Sequence, residues 1–418
     1  MKRRILFVPF GSEGDVNPLL WLAGLLADRG HHPVFLLTPH YGHLADKYGF
    51  EWHPIGTEED FQRMAGDPGL WKPGLGSWRV AQAMHKSLAT YRNAFDSLGT
   101  DFSLVVTSSL GLAASAMAES LRIPRLMLHL QPLCLRSHGD MPVLMEGSAW
   151  FRHAPHFLHD AAFFVVDGIL NRTMLPPLNN FRRTLGLPRL EDFYRDALMR
   201  AEGVALLVPA WFSPRQPDWP THLRQFDFPL SATVANPLPQ NLAAWLEAGD
   251  PPVLWTHGSA NVHLAKSWRL ARDVTGTIGG RALLVGKIPP GFELSDAIHH
   301  ISHVPFEDLL PRCRAIVHHG GIGTTSKAFA AGIRQLIIPL AHDQHDNAAR
   351  VERLKAGLQA KPSARDAAEK ILRLLNSINI EAGVNRCQHL AGESPGKAAP
   401  LATWAEELAG GLAPIVHT

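Results

Sequence analysis

The chain has 418 residues, which is enough for two domains, and its hydrophobic content of 46% can form large cores. Its formal net charge is only +2, so the composition does not indicate a nucleic-acid partner. The three cysteines, Cys134, Cys313 and Cys387, have no spacing typical of a disulfide or metal framework, and we therefore expect a reducing, cytoplasmic location.

The chain begins with a short apolar run, which is too short for a signal peptide and predicts a first core strand over Ile5 to Pro9. Pro18 fits the first position of the following helix, with Asn17 as its cap. Asp15 is then expected between the strand end and the helix start. From its chemistry alone, pairing with a backbone N–H group there is favoured over a catalytic role. No apolar run is long enough to predict a transmembrane helix.

Two aromatic segments are candidates for lining an apolar pocket. The periodicity fails between Glu58 and Trp78, which predicts a long loop over a groove and makes Trp71 and Trp78 candidate contacts for an apolar ligand. In residues 141–200, aromatic residues such as Phe151 alternate with histidines, which indicates helices that line the pocket. Ordinary core aromatics with solvated histidines are an equally good interpretation, and contact with a membrane surface is a further alternative.

Further strands and helices alternate along the chain, as in domains with parallel sheets. A proline-rich run precedes a polar stretch that we interpret as an interdomain linker. We predict a first domain at 1–230, the linker at 231–240, a second domain at 241–395, and a C-terminal helix at 396–418 that returns to the first domain.

The most informative stretch runs from Arg314 to Arg350 and predicts strand, glycine turn, helix, strand and polar loop. Gly320 and Gly323 lie in the turn, where backbone N–H groups can approach a ligand closely. Thr324 adds a hydroxyl group at the helix start, where the helix dipole favours an anion such as a diphosphate. Polar residues also follow the second strand, and both clusters are expected at the same sheet edge.

This stretch resembles the donor-binding motif of the nucleotide-sugar glycosyltransferases of the family 1 (UDP-glycosyltransferase-like) family. The matching positions are His318, Gly320, Gly323, Thr324, Gly332, Ile333, Asp343 and Gln344, while Arg334 replaces the usual proline. Thr256 to Ser259 matches the family's T-x-G-S turn, and Gly14 to Pro18 matches its G-D-x-x-P motif. The proline-rich run resembles a bacterial subgroup that includes the rhamnolipid rhamnosyltransferase.

The resemblance implies the GT-B fold, with two Rossmann-like domains facing across a cleft. It implies an inverting transfer of a hexose, from UDP-glucose or dTDP-rhamnose, to a hydroxyl group of an apolar lipid or aromatic natural product. Asp15 is implied as the general base. The implied donor-binding residues are Ser259, Val304, His318, Gly320, Gly323, Thr324, Asp343 and Gln344. The first domain would bind the acceptor, with Trp71, Trp78 and Phe151 as its contacts. No metal ion or other cofactor is expected.

Three other interpretations compete with this one. A metal site could use the histidines near the glycine turn, but the adjacent His318 and His319 should point to opposite sides of the strand end. An NAD-dependent oxidoreductase could use the turn, with Asp343 placed 20 residues after Gly323, but the third glycine of that fingerprint is replaced by Ser326. A non-catalytic nucleotide-sugar binder or an epimerase is the third alternative.

Overall fold

Two α/β domains, each built on a parallel sheet, make up the protein in a computed structural model that describes residues 2–71, 75–230, 237–258 and 265–411. The first sheet has the strand order β3-β2-β1-β4-β5-β6-β7. Its strands are β1 (Arg4–Val8), β2 (His32–Leu37), β3 (Glu51–Pro54), β4 (Leu104–Ser108), β5 (Arg125–His129), β6 (Gly203–Leu207) and β7 (Leu223–Phe226). All of its neighbouring strands are parallel.

The second sheet repeats this arrangement with the order β10-β9-β8-β11-β12-β13. Its strands are β8 (Val253–Thr256), β9 (Ala282–Val285), β10 (Ile298–Ile301), β11 (Ala315–His318), β12 (Gln335–Ile337) and β13 (Gly357–Gln359), again all parallel. Both sheets therefore change direction next to their first strand, between β1 and β4 and between β8 and β11. Crevices at such switch points bind ligands in open α/β folds.

Helices connect the strands. They are α1 (Glu13–Ala27), α2 (Gly42–Lys47), α3 (Glu58–Ala65), α4 (Leu75–Leu98), α5 (Leu112–Ser120), α6 (His156–Thr173), α7 (Leu175–Thr184), α8 (Gln240–Glu247), α9 (Ala265–Ile278), α10 (Phe306–Leu309), α11 (Ile322–Ala330), α12 (Gln344–Arg353), α13 (Ala364–Asn376), α14 (Ile378–Gly392) and α15 (Ala399–Ala409). Short 3-10 turns include Pro68–Trp71 and Ser148–His153. The predicted two-domain α/β fold is confirmed. The linker stays a prediction, because residues 231–236 lie outside the described part of the chain.

The predicted long loop between Glu58 and Trp78 is wrong. This region forms α3 and then the start of α4, a helix of 24 residues. Glycines and prolines separate α3 from the first residues of α4. The helical periodicity of these two short stretches is therefore not visible in the sequence. Thr57 starts α3 with a capping box, because its side chain accepts a hydrogen bond from the Asp60 N–H group and Asp60 accepts one in return.

The predicted start of α1 is also wrong. The helix begins at Glu13 with Ser12 as its N-cap, and Pro18 lies inside the helix. A proline usually marks the first helical position, which is why the sequence places the helix start too late. Pro18 instead lies beyond the first four amides, so it removes one hydrogen bond from the helix interior. Asp15 therefore lies in the first turn of α1 instead of in the loop before it.

The two domains share contacts beyond the linker. The C-terminal helix α15 packs on the first domain, where Leu401 and Leu408 join the core of Leu19 and Leu26. On the other side of the molecule, the ring of Phe329 in α11 packs against aromatic residues of the first domain. They are Trp211 at 5.3 Å, Phe212 at 5.9 Å and Phe228 at 6.4 Å between ring centroids. The donor-motif helix is thus held from both domains.

Residues 141–200 form α6 and α7 next to the first sheet. One side of α6 is apolar and exposed, with Phe157 at 67% and Phe164 at 80% of their full accessibility. No helix in the described ranges combines the length and the apolar character that a membrane span needs.

Candidate functional site

The predicted site residues lie at the carboxyl ends of the strands beside the two switch points. Asp15 follows β1 in the first domain, and the Gly320 turn follows β11 in the second. Gly76 in the first turn of α4 approaches the loop after β12, because a Cβ atom on Gly76 would lie 3.1 Å from His342 Cε1. The two strand-end regions therefore line one cleft between the domains.

The Asp15 carboxylate closes the capping box of α1. Its Oδ2 accepts a hydrogen bond from the Ser12 N–H group at 2.8 Å and one from Ser12 Oγ at 3.1 Å. Gly11 lies directly against it: a Cβ atom there would lie 2.2 Å from Asp15 Oδ2, and Gly11 has φ +132°. The backbone contact expected from the chemistry of Asp15 is thus present. Its Oδ1 makes no hydrogen bond to the described residues and is left for a ligand.

The environment of Asp15 makes it a stronger base than an ordinary aspartate. Burial raises its pKa to about 6, although the hydrogen bonds from Ser12 oppose this shift. A carboxylate with a pKa near the working pH can accept a proton from a hydroxyl group as the reaction proceeds.

The glycine turn after β11 is closely packed. Gly320 has φ +97°, and a Cβ atom there would lie 2.8 Å from Ile337 Cγ2 and 3.1 Å from the Gln344 carbonyl oxygen. Gly321 is the N-cap of α11, so the N–H groups of the first turn, including those of Gly323 and Thr324, have no intrahelical partner. A Cβ atom on Gly323 would meet only open space. These amides can therefore bind an anion.

The three hydroxyl groups of this helix start have different partners. Thr325 Oγ1 donates to the Gly321 carbonyl at 3.0 Å, and Ser326 Oγ donates to the Gly323 carbonyl at 3.0 Å. Thr324 is half-buried and makes no side-chain hydrogen bond within the described part of the chain. Thr324 is therefore the hydroxyl group left for a ligand.

His318 does not face the cleft. The side chain is only 1% exposed, its Nδ1 accepts from the Gly320 N–H group at 3.2 Å, and its Nε2 lies 3.1 Å from Gln335 Oε1. Burial lowers the pKa of His318 to about 3, so the ring is neutral. Both ring nitrogens are used inside the protein. His318 therefore supports the turn in this arrangement, and its direct contact with a donor phosphate stays a prediction.

The neighbouring His319 has the better position for a ligand. A Cβ atom on Gly258 would lie 2.6 Å from its Cε1, and one on Gly321 would lie 2.6 Å from its Nε2, so the ring lies between the turns after β8 and β11. Its buried Nδ1 has no hydrogen-bond partner among the described residues. Burial lowers the pKa of His319 to about 4. The sequence reveals the pair of histidines but not which of them faces the cleft.

Asp343 is held by a residue that the motif alone did not single out. Asn347 Nδ2 donates to Asp343 Oδ2 at 2.7 Å and to the Gly320 carbonyl at 2.9 Å. Burial raises the pKa of Asp343 to about 7, and the charge of Asp15 contributes to the shift. The charge of Asp15 therefore acts on Asp343 across the cleft. The spacing of four residues, which places Asp343 and Asn347 on one helix face, is the signal in the sequence.

Gln344 and Val304 lie at the expected strand-end positions. Gln344 Oε1 accepts hydrogen bonds from the Leu340 and Ala341 N–H groups at 2.7 and 3.0 Å, so it shapes the loop and leaves only its amide nitrogen for a ligand. Val304 is buried in the loop after β10. Ser259, a predicted donor contact, lies outside the described residues.

The predicted acceptor residues are distributed along the first domain. Trp78 is on α4 and 42% exposed, and Trp71 ends a 3-10 turn just before that helix. Phe151 lies in the 3-10 turn before α6, and its carbonyl accepts from His159 Nε2 at 2.9 Å. Among the described residues, no group of three or more His, Cys, Asp or Glu side chains is arranged to hold a metal ion.

The chain is similar to several known proteins. Residues 283–401 match the family described as erythromycin biosynthesis protein CIII-like, C-terminal domain. The vancomycin aglycone glucosyltransferase of Amycolatopsis orientalis is 27% identical over 379 residues, which cover 85% of each chain. The solved glycotransferase of kitacinnamycin covers 98% of this chain and 99% of its own, with a TM-score of 0.74 and 17% identity.

A second solved structure is that of the spinosyn rhamnosyltransferase SpnG complexed with thymidine diphosphate. It covers 96% of this chain and 99% of its own, with a TM-score of 0.64 and 19% identity. These similarities confirm the predicted resemblance and the GT-B fold. The chain thus resembles family 1 UDP-glycosyltransferase-like proteins, and the relatives that it matches are named glycosyltransferases, in agreement with the predicted enzyme class.

Proposed function

We propose that the protein transfers a hexose from a pyrimidine nucleoside diphosphate to a hydroxyl group of an apolar acceptor, with inversion at the anomeric carbon. The observation that carries this proposal is the position of Asp15 opposite the Gly320 turn. Each lies at the switch point of its own sheet, and the charge of Asp15 is felt at Asp343 on the far side of the cleft. A base and an anion site thus face the same space.

The donor would lie on the second domain. Its diphosphate would accept hydrogen bonds from the amides at the start of α11 and from the Thr324 hydroxyl group, with His319 and Ser259 as further contacts. The Val304 backbone would bind the pyrimidine base. Asp343 and the Gln344 amide nitrogen would hold the sugar hydroxyl groups.

The chemistry follows from this placement. Asp15 takes the proton of the acceptor hydroxyl group, whose oxygen forms a bond to the anomeric carbon. The bond between that carbon and the diphosphate oxygen breaks on the opposite face, and the diphosphate leaves with the electron pair. The positive end of the α11 dipole and its free amides stabilise the charge that develops on the leaving group. No metal ion is needed in this scheme, so EDTA is expected to leave turnover unchanged.

The names of similar proteins suggest donor and acceptor classes. The spinosyn rhamnosyltransferase was solved with thymidine diphosphate, and the vancomycin enzyme is named a glucosyltransferase of an aglycone. We therefore propose dTDP-rhamnose or UDP-glucose as donors and natural-product scaffolds or lipids as acceptors. The exposed Trp78 and the Trp71 and Phe151 segments would contact the apolar acceptor.

We also propose a cytoplasmic protein that contacts an anionic membrane surface through the exposed face of α6. Phe157, Phe164, Val165 and Ile169 lie on this face, and Arg172 extends it without a carboxylate among them. Sedimentation with anionic vesicles should fall when Phe157 and Phe164 are both changed to Ser. Ile378→Ser, at a residue that is 78% exposed on α14, is the matched control. Equal sedimentation of both variants would contradict membrane contact.

The experiment that tests the proposed reaction is Asp15→Asn. An asparagine oxygen can still accept the Ser12 hydrogen bonds, so the helix cap should persist while the base is lost. Transfer from dTDP-rhamnose and UDP-glucose to a panel of aglycones, followed by mass spectrometry, should fall at least about 100-fold. Binding of dTDP and UDP should be unchanged. Asp28→Asn at the other end of α1 is the control, and transfer by Asp15→Asn at the wild-type rate would remove the proposed base.

A further inference from the structure

A buried ion cluster joins the two domains beside the donor site. Arg350 of α12 donates from Nη1 to Asp140 Oδ2 at 2.6 Å and from Nε to Asp346 Oδ2 at 2.7 Å. The side chains of Arg350, Asp346 and Asp140 are only 1%, 0% and 7% exposed. Asp140 belongs to the first domain and the other two belong to the second. One guanidinium group therefore bridges the domains out of water.

Further contacts complete the cluster. Arg353 donates to Asp140 Oδ1 at 3.3 Å and to the Phe212 carbonyl at 3.3 Å. The Val143 N–H group donates to Asp346 Oδ1 at 3.1 Å. With Arg350, these groups make two positive and two negative charges, and the nearby Arg152 adds a third positive charge that interacts with all four. We call these four charged residues, Asp140, Asp346, Arg350 and Arg353, the interdomain clasp.

The two arginines of the clasp fix the negative charge of Asp140. Burial alone would raise the pKa of Asp140, but Arg350 and Arg353 overcome this effect and hold the pKa below its ordinary value. Buried ion pairs contribute little net stability compared with apolar residues of similar size, whereas removal of one partner is costly. A buried cluster of this kind is therefore better explained by the geometry that it imposes than by the stability that it adds.

That geometry concerns α12, whose first turn carries the donor-sugar residues. Asp343 precedes the helix, and Asn347, which holds it at 2.7 Å, lies between the clasp residues Asp346 and Arg350 along the chain. The clasp fixes the rotation and the axial position of α12 relative to the first domain. Among the described residues, the four clasp side chains make no hydrogen bond to the start of α11, and α12 reaches the Gly320 turn through Asn347.

We propose that the interdomain clasp is a positioning device that turns Asp343 and Gln344 toward the donor sugar when the domains are closed. Asp140 and Arg350 are its positioning residues, and neither touches the reacting atoms. This inference rests on the proposed function of the same site. It predicts that loss of the clasp weakens recognition of the sugar but not of the nucleoside diphosphate.

The test compares intact donor with its nucleotide part by calorimetry, so that its readout does not need turnover. In Asp140→Asn the affinity for dTDP-rhamnose or UDP-glucose should fall at least about tenfold, while the affinity for dTDP or UDP should change less than about twofold. Asp140→Glu keeps the charge and should restore most of the loss. Arg350→Lys should resemble Asp140→Asn, because a single ammonium group cannot reproduce a guanidinium that bonds two carboxylates.

Glu393→Gln removes one partner of the exposed ion pair with Lys397 and is the control. A parallel loss of donor and nucleotide affinity in Asp140→Asn, without rescue by Asp140→Glu, would mean a structural role only and would overturn the inference. Unchanged donor affinity would overturn it as well. Failure of the proposed function is distinct, because wild-type protein would then bind neither sugar nucleotide.

Discussion

Asn347 donates one amide hydrogen bond to Asp343 and another to the carbonyl of Gly320, at 2.7 and 2.9 Å. One side chain thereby connects the predicted sugar site with the predicted phosphate turn. Asn347→Ala should loosen both sites. We expect the rate of transfer to fall about tenfold or more and the nucleotide affinity to fall about threefold, because these factors correspond to the loss of one or two hydrogen bonds. Initial rates and calorimetry measure the two effects. Asn376→Ala, at an exposed residue whose amide bonds Leu372, should behave like wild type.

The two glycines of the turn should respond differently to alanine. Gly320→Ala is expected to lower the free energy of unfolding by about 2 kcal/mol or more, because its φ is +97° and the new methyl group would meet Ile337. Gly323→Ala has free space in a helix and should keep or slightly raise stability, yet its methyl group should impede the diphosphate. Urea unfolding and dTDP titration separate the effects. Equal stability of the two variants would be inconsistent with the packed turn.

The adjacent histidines form a second matched pair. His318→Ala should lower stability by about 1–3 kcal/mol, because the Gly320 N–H group and Gln335 each lose a buried partner. His319→Ala should lower nucleotide affinity with a smaller change in unfolding, because its Nδ1 has no partner among the described residues. The opposite pattern, with nucleotide binding lost only in His318→Ala, would restore His318 as the phosphate contact.

The rate of transfer should depend on pH through the two carboxylates. Asp15 must be ionised to accept a proton, and its pKa is about 6, so kcat/KM should rise with pH through this range and fall about tenfold per unit below it. Since Asp343 has a pKa of about 7 and interacts with Asp15, the measured values belong to the pair. In Asp343→Asn only the Asp15 step remains, so the profile should show a single rise centred near the Asp15 pKa of about 6. A flat profile from pH 5 to 8 would exclude Asp15 as the base.

Much of the fold follows from local sequence patterns. Short buried runs such as Arg125–His129 predict strands within one or two residues, because strands covered on both faces are continuously apolar. The glycine turn before α11 is also readable, since its glycines and hydroxyl residues are consecutive. The sequence does not predict the start of α1 at Glu13, because Pro18 ordinarily marks the first residue of a helix. It does not predict α4 either, because Gly66 and the glycines and prolines that follow ordinarily interrupt helices.

Contacts between distant residues explain what the sequence could not predict. Asp140 and Arg350 are separated by 210 residues, and no local pattern connects them. The orientation of His318 depends on Gln335 in the next strand, so its role as a support becomes visible only in three dimensions. The four-residue spacing of Asp343 and Asn347 was readable, but its importance depends on the third partner, Gly320.

The most direct test of the central claim is calorimetric titration of the whole protein with UDP, dTDP and NAD in separate runs, all with EDTA. We expect micromolar binding of UDP or dTDP that does not need a metal ion, and weaker binding of the same nucleotide to Gly323→Ala. Such a result would place the diphosphate at the start of α11 and identify the donor base. Binding of NAD alone would contradict the account, because the turn would then serve a dinucleotide and the proposed role of Asp15 would fail with it.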